Sequence, residues 1–352
     1  MTRRVIASLV ILFLATLLAR GTMASEDAAA TTALENTEPV EAGSFEPPHL
    51  LHRPNPYYPI GVEMNREEGW VQIEFMVDQN GRTFEPTVAD SSGNRELEEV
   101  ALKETRGLAF QPATDNGQPV ESSKAMKFVF QIQGQTGARA EFIYNYKKFM
   151  QAVRSSNESG ARALLTNLTP VNLYEDAYFG LAQYEFAHSW GTDEEQLRGL
   201  RRAIAREKRS GYLPKDVFDS AMLALLPLDV KVGDYMQALS DWEYISSNIH
   251  DKQALDYWRP FVARIQTIQT STATLRVHGH LSGGDWYFTP FKRTLQFDVT
   301  SGHLTALKLR CGKHFEVFDF KPDTKYRIEP RYGSCTIEAI GDADTQFDLI
   351  ES

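Results

Sequence analysis

The chain has 352 residues, of which 42% are apolar and 24% charged, and its formal net charge is −10. That composition is ordinary for a globular protein with room for two or three domains. No segment is strongly basic: residues 54–134, for example, carry 7 Lys and Arg against 13 Asp and Glu, which argues against nucleic acid as a partner. The first stretch, residues 1–24, reads as a targeting segment, with Arg3 and Arg4 as its positive end, an apolar run from Val5 to Ala19, and small residues at Thr22-Met23-Ala24. Such a run is short of the about twenty residues a membrane-spanning helix needs. Cleavage and export are therefore expected, with an uncleaved membrane anchor as the alternative. Residues 25–53 are rich in Ala, Thr and Glu and poor in large apolar groups, and are expected to be a disordered linker.

From residue 54 to 134 the pattern becomes that of a small α+β domain. Tyr58-Pro59 opens it, and Val71, Ile73, Phe75 and Val77 then alternate onto one face of a strand. Asp78-Gln79-Asn80-Gly81 supplies a turn, because Asn and Gly tolerate positive φ. A second extended piece runs through Val88 to Ser91-Ser92-Gly93. Asn94 can cap a helix with an acidic first turn (Glu96, Glu98, Glu99), an apolar face of Leu97, Val100 and Ala101, and Gly107 as its stop. Phe110-Gln111-Pro112-Ala113 leads to a turn at Asp115-Asn116-Gly117. A last strand then places Met126, Phe128, Phe130 and Ile132 on one face. The plan is β-β-α-β with an antiparallel sheet.

Taken in order, Tyr58-Pro59, Gly69-Trp70-Val71, Phe75 through Gly81, Ser92, Phe110-Gln111-Pro112 and Gly117 resemble the carboxy-terminal domain of the TonB family of energy transducers. The resemblance covers under a quarter of the chain. It implies a periplasmic setting and protein partners, either outer-membrane receptors or other envelope components. It also implies a binding mode in which an extended peptide is recruited onto an open sheet edge, with backbone hydrogen bonds supplying affinity and alternate side chains selection. The edge expected to serve is the final strand, with Lys124, Met126, Lys127, Phe128, Phe130 and Ile132; Lys124 and Lys127 are expected on its outward face. The alternative is an edge covered by the helices that follow. Three features depart from the family. Tyr57 stands where well-studied relatives have Gln, no proline-rich spacer precedes the domain, and no His occurs before His49. Residues 25–53 could span at most about 100 Å fully extended.

From 138 to 270 the period is helical. Phe142, Tyr146, Phe149, Met150 and Val153 form one stripe. Further helices are expected around Tyr178 to Trp190, from Asp193, from Pro214 to Leu226, and from Asp234 to Ile249. Gly233 to Leu239 resembles the turn and second-helix start of a tetratricopeptide repeat, so an α-solenoid-like middle domain is expected. The basic run Arg198, Arg201, Arg202, Arg206, Lys208 and Arg209 reads as a solvated helix face paired with Glu194, Glu195 and Glu207.

Residues 271–352 alternate with period two and frequent turns, as a small β-sandwich does. Cys311 and Cys335 are in phase with inward residues, and an exported chain would join them as a disulfide. His278, His280, His303 and His314 lie in the same region but read as a wet sheet face, so neither a metal nor a cofactor is expected. No nucleophile elbow, zinc-protease helix or phosphate-binding glycine loop occurs, which argues against an enzyme. The expected protein is an α+β multidomain chain: a β-β-α-β domain, a helical middle and a carboxy-terminal β-sandwich. It is expected to act by protein contact in TonB-dependent transport, or as an envelope scaffold without energy coupling.

Overall fold

The structure, a computed structural model, describes residues 45–52, 57–132, 137–204 and 212–352. The targeting segment and residues 25–44 of the expected linker lie outside them.

The first region contains β1 (Phe45–Glu46), β2 (His49–Leu50), α1 (Ile60–Met64), β3 (Gly69–Val77), β4 (Thr83–Ser91), α2 (Arg95–Arg106), β5 (Phe110–Gln111), β6 (Ala113–Asp115), β7 (Gln118–Val120) and β8 (Ser122–Phe130). Its main sheet is antiparallel with strand order β4-β3-β8. Val71, Ile73, Phe75 and Val77 of β3 face Leu97 and Ala101 of α2, with Phe110, Phe128 and Phe130 completing the core. Full burial of each such side chain contributes roughly 1.5–3 kcal/mol. The Asn94 side chain accepts the N–H groups of Glu96 and Leu97, capping α2 as its position suggests.

Two details differ from the sequence reading. Residues 45–50 are not a disordered linker. His49 and Leu50 pair with Gln111 and Phe110, and Phe45 and Glu46 pair with Asp115 and Thr114. Leu50 packs against the core and the Leu51 amide donates to the Ala109 carbonyl at 3.0 Å, so one apolar side chain and a few backbone hydrogen bonds hold the added strand. At the other end, β8 stops at Phe130. The Ile132 amide leaves the ladder and donates instead to the Glu68 carboxylate at 2.8 Å.

The helices are α3 (Ala140–Arg154), α4 (Glu158–Thr166), α5 (Leu173–Trp190), α6 (Asp193–Ile204), α7 (Lys215–Lys231), α8 (Tyr235–Asn248) and α9 (Lys252–Thr270), and each packs on the next. The closest crossing is α5 on α6. A methyl group on Gly180 would strike the backbone of Gly199 and Ala203, and one on Gly199 would strike that of Tyr184. Helix α7 runs past the expected end at Leu226, through Pro227 to Lys231. Burial of Leu228 and Asp229 continues it where the proline removes one hydrogen bond.

Within the basic run Arg198 is exposed, but Arg201 and Arg202 are not part of a solvated face. Arg201 bonds Asp229 at 2.6 Å and Asp234 at 3.1 Å, and Arg202 bonds Asp176 at 2.5 Å. Glu195 instead accepts the Thr192 amide at the start of its own helix. Arg206, Glu207, Lys208 and Arg209 lie outside the described residues.

The last region holds β9 (Leu275–His280), β10 (Asp285–Phe288), β11 (Thr294–Ser301), β12 (Leu304–Cys311), β13 (Phe315–Asp319), β14 (Lys325–Arg327), a 3-10 turn (Pro330–Tyr332), β15 (Cys335–Gly341) and β16 (Gln346–Glu351). They form two four-stranded antiparallel sheets, β10-β15-β12-β13 and β14-β11-β16-β9, around one apolar core. Cys311 and Cys335 face each other across β12 and β15 and are joined as a disulfide. The histidines each meet a separate carboxylate: His278 with Asp348, His280 with Asp344, His303 with Asp342 and His314 with Glu316. No group of three His, Cys, Asp or Glu side chains able to hold a metal occurs among the described residues.

Candidate functional site

The turns and glycines of the first region set the geometry of its sheet. Gly81 has φ +80°, and a side chain there would collide with the Phe110 carbonyl. The Asp78 carboxylate holds the same turn by accepting the Asn80 and Arg82 amides, each at 2.8 Å. Gly69 leaves room for the Ser92 hydroxyl and the Leu97 side chain, and Ser92 Oγ in turn accepts the Trp70 amide at 3.1 Å. Pro59 precedes α1, and Tyr58 stands edge-on to Phe130 with its hydroxyl donating to the Glu67 carbonyl at 2.5 Å. Burial, aided by Glu68, Glu63 and Glu67, pushes the Tyr58 phenol up to about 12. Val71, Phe75 and Phe110 lie in the core, Pro112 separates β5 from β6, and Asn116-Gly117, both at positive φ, close the β6–β7 hairpin.

These constraints leave β8 as one outer strand of the sheet. Its pairing with β3 runs unbroken from Gly69↔Phe130 to Val77↔Ser122, and it contains no proline. Phe128 and Phe130 are buried in the core and Met126 packs against it. Lys124 and Lys127 do not share an outward face. Strand alternation puts Lys124 on the Met126 side, where its ammonium donates to the Pro48 carbonyl at 3.2 Å. Lys127 lies on the opposite side, 4.4 Å from the centre of the Trp70 ring. Both ends of the strand are tied down: Ser122 Oγ donates to the Gly312 carbonyl at 2.6 Å, and Ile132 is held by Glu68.

The other outer strand, β4, is of a different kind. Its register with β3 shifts twice, it contains Pro86, and Glu85 sits at φ +49°. The Glu85 carboxylate bonds Lys308 at 2.6 Å and Arg310 at 3.0 Å, while the Glu85 carbonyl accepts from Arg310 at 2.7 Å. Arg310, only 4% exposed, also bonds Glu338 at 2.6 Å. Phe84 meets Phe315 edge-on at 5.1 Å. Burial raises Glu74 beside this cluster, outweighing the opposing effect of Arg310.

The face of β3 that points away from α2 is therefore covered twice by the rest of the chain. At one end lies the β12–β15 sheet. At the other, Trp70 is buried and its indole N–H donates to Asp176 at 2.9 Å. Arg202 bonds Asp176 and also donates to the Ser92 carbonyl at 2.7 Å. Glu68 closes the corner: its amide donates to the Val171 carbonyl, and its carboxylate accepts from Leu173 as well as Ile132. Burial raises Asp176 despite Arg202 and the indole.

Sequence reasoning missed the role of these junction residues, reading Arg202 as part of a solvated helix face. Trp70 and Ser92 carried a signal as motif positions, but Glu68, Glu85, Asp176, Arg202, Lys308, Arg310 and Glu338 have partners over a hundred residues away or in another element, which no local pattern announces.

The first region has counterparts among known proteins. Residues 54–132 match the family model described as Gram-negative bacterial TonB protein C-terminal. A comparison with curated proteins finds no match. Among solved structures, the solution NMR structure of the Pseudomonas aeruginosa TonB CTD aligns at 21% identity, covering 25% of this chain and 90% of its own, with a TM-score of 0.23. The comparisons thus show a TonB C-terminal domain at residues 54–132 of this chain.

Proposed function

We propose that the protein works in the periplasm as a non-enzymatic binding component of TonB-type transport across the outer membrane, and that it takes an extended segment of a protein partner along β8. The observation that carries this reading is the contrast between outer strands. β8 is regular, proline-free and paired along one side, whereas β4 is bulged, interrupted by Pro86 and fastened to Arg310. Strand addition needs an uninterrupted run of backbone donors and acceptors. Receptors bearing exposed amino-terminal segments are the proposed partners, and delivery to the periplasm by the amino-terminal segment is part of the proposal. No helix among the described residues is long and apolar enough to cross a membrane.

A second reading is favoured by a specific observation. The second face of the TonB-type sheet is occupied by the chain's own helices and β-sheets, through Trp70–Asp176–Arg202 and Glu85–Lys308–Arg310. A domain built into a larger body suits an envelope scaffold that binds partners without energy coupling.

One experiment tests the first reading. Peptides copied from the amino-terminal segments of the source organism's TonB-dependent receptors are added to the mature chain, and backbone hydrogen exchange is followed. Slower exchange confined to β8, lost when alternate peptide amides are methylated, is expected. Binding with no change at β8 would overturn the edge assignment, and no binding by any peptide would favour the scaffold. The mature amino terminus, measured by intact mass in membrane and soluble fractions, decides whether the chain carries an inner-membrane anchor.

A further inference from the structure

The helical region holds a group of charges that the peptide-binding proposal does not use. Asp229, at the end of α7, is fully buried, and Asp241 on α8 is 8% exposed. Asp229 Oδ1 accepts from Arg201 of α6 at 2.6 Å, and Asp241 Oδ1 accepts from Gln237 at 2.8 Å. Their remaining oxygens, Asp229 Oδ2 and Asp241 Oδ2, are both buried with no donor among their neighbours. Asp241 is one of the carboxylates that Asp229 faces. The other charged groups facing Asp229 are Arg201 from α6 and Asp234 from the turn before α8, so one guanidinium answers three carboxylates.

We infer that Asp229 and Asp241 hold one proton between them, bridging Oδ2 to Oδ2, and that the packing of α6, α7 and α8 depends on that proton. Two ionised carboxylates in one buried site repel, and neither free oxygen has a protein donor to turn to. A single proton turns the repulsion into a short hydrogen bond and leaves Arg201 to balance the charge that remains. Burial first, then the neighbouring carboxylates, push Asp229 up to about 8, in keeping with this arrangement. The device also reaches the TonB-type domain: Arg201 is the chain neighbour of Arg202, which holds the Ser92 carbonyl, so α6 carries both contacts.

The sign of the pH effect follows. An aspartate that keeps its proton in the folded state to about pH 8, but loses it near pH 4 when unfolded, binds more protons folded than unfolded across that window. Stability from this pair is therefore full at the acidic end, falls as pH rises through the window, and is lost above it.

The test is a titration of the full mature chain labelled with carbon-13 at its aspartate carboxyls, alongside Asp229→Asn and Asp241→Asn. The Asp229 carboxyl signal is expected to titrate near pH 8 in the wild type. In each variant the amide replaces the shared proton, so the alkaline step disappears and the fall of the urea midpoint with pH becomes shallower by about one proton. If every aspartate carboxyl is ionised by about pH 6, the inference is overturned, whether or not the variants fold. It is also overturned if the alkaline step survives in both folded variants.

Discussion

Strands β4 and β8 flank the same central strand, and they differ in each property that governs the addition of another. β8 keeps one register over nine pairs, while β4 slips twice and carries Pro86. β8 is fastened at its ends, through Ser122 to Gly312 and through Glu68 to Ile132; β4 is fastened at its middle, through Glu85 to Lys308 and Arg310. An edge is closed by spending its backbone groups elsewhere or by bending them out of line, and β4 uses both means. The difference teaches that the appended regions give the sheet direction: one side is built into the body of the protein and the other is left as an edge.

The largest effect is expected from Arg310→Ala. It leaves the buried Glu338 and the partly exposed Glu85 with Lys308 as their remaining cationic partner, and breaking a buried pair such as Arg310–Glu338 costs up to about 3–5 kcal/mol. Urea unfolding measures the loss, and hydrogen exchange should quicken in β4 but not β8. Equal quickening in both strands would mean the two edges are not independently held. Replacing both cysteines by serine should cost about 3 kcal/mol, read as a fall in the thermal midpoint with exchange at β4 and β8 unchanged. If β8 loosens as well, its contact with Gly312 supports the strand more than the register does.

Gly81→Ala should cost about 2 kcal/mol, because it combines positive φ with a collision at the Phe110 carbonyl. It strikes the β3–β4 turn and should therefore disturb β4 first, as amide exchange of residues 83–85 would report. The smallest effect, about 0.5–1 kcal/mol, is expected for Lys127→Ala, which removes a cation from the Trp70 ring. A much larger loss there would show that β8 is held through its side chains as well as its ladder.

What the sequence determined by itself is what short-range chemistry can encode. The alternation of Val71, Ile73, Phe75 and Val77, the cap at Asn94, and the turns at Gly81 and Asn116-Gly117 are each written within a few residues, and each has its expected structural counterpart. The inward phase of Cys311 and Cys335 is of the same kind. What only the tertiary structure decided is the fate of groups whose partners are distant. The other face of β3, with Trp70, Gln72 and Glu74, alternates as a solvated face would, yet Trp70 is buried because Asp176 accepts its indole proton. Arg201 and Arg202 look like surface charge until buried carboxylates from other elements claim them. Residues 45–50 look like linker until an unpaired strand edge at 110–115 takes them up. Local propensity fixes conformation over a few residues, whereas burial of a polar group is settled only by whether the fold brings it a partner.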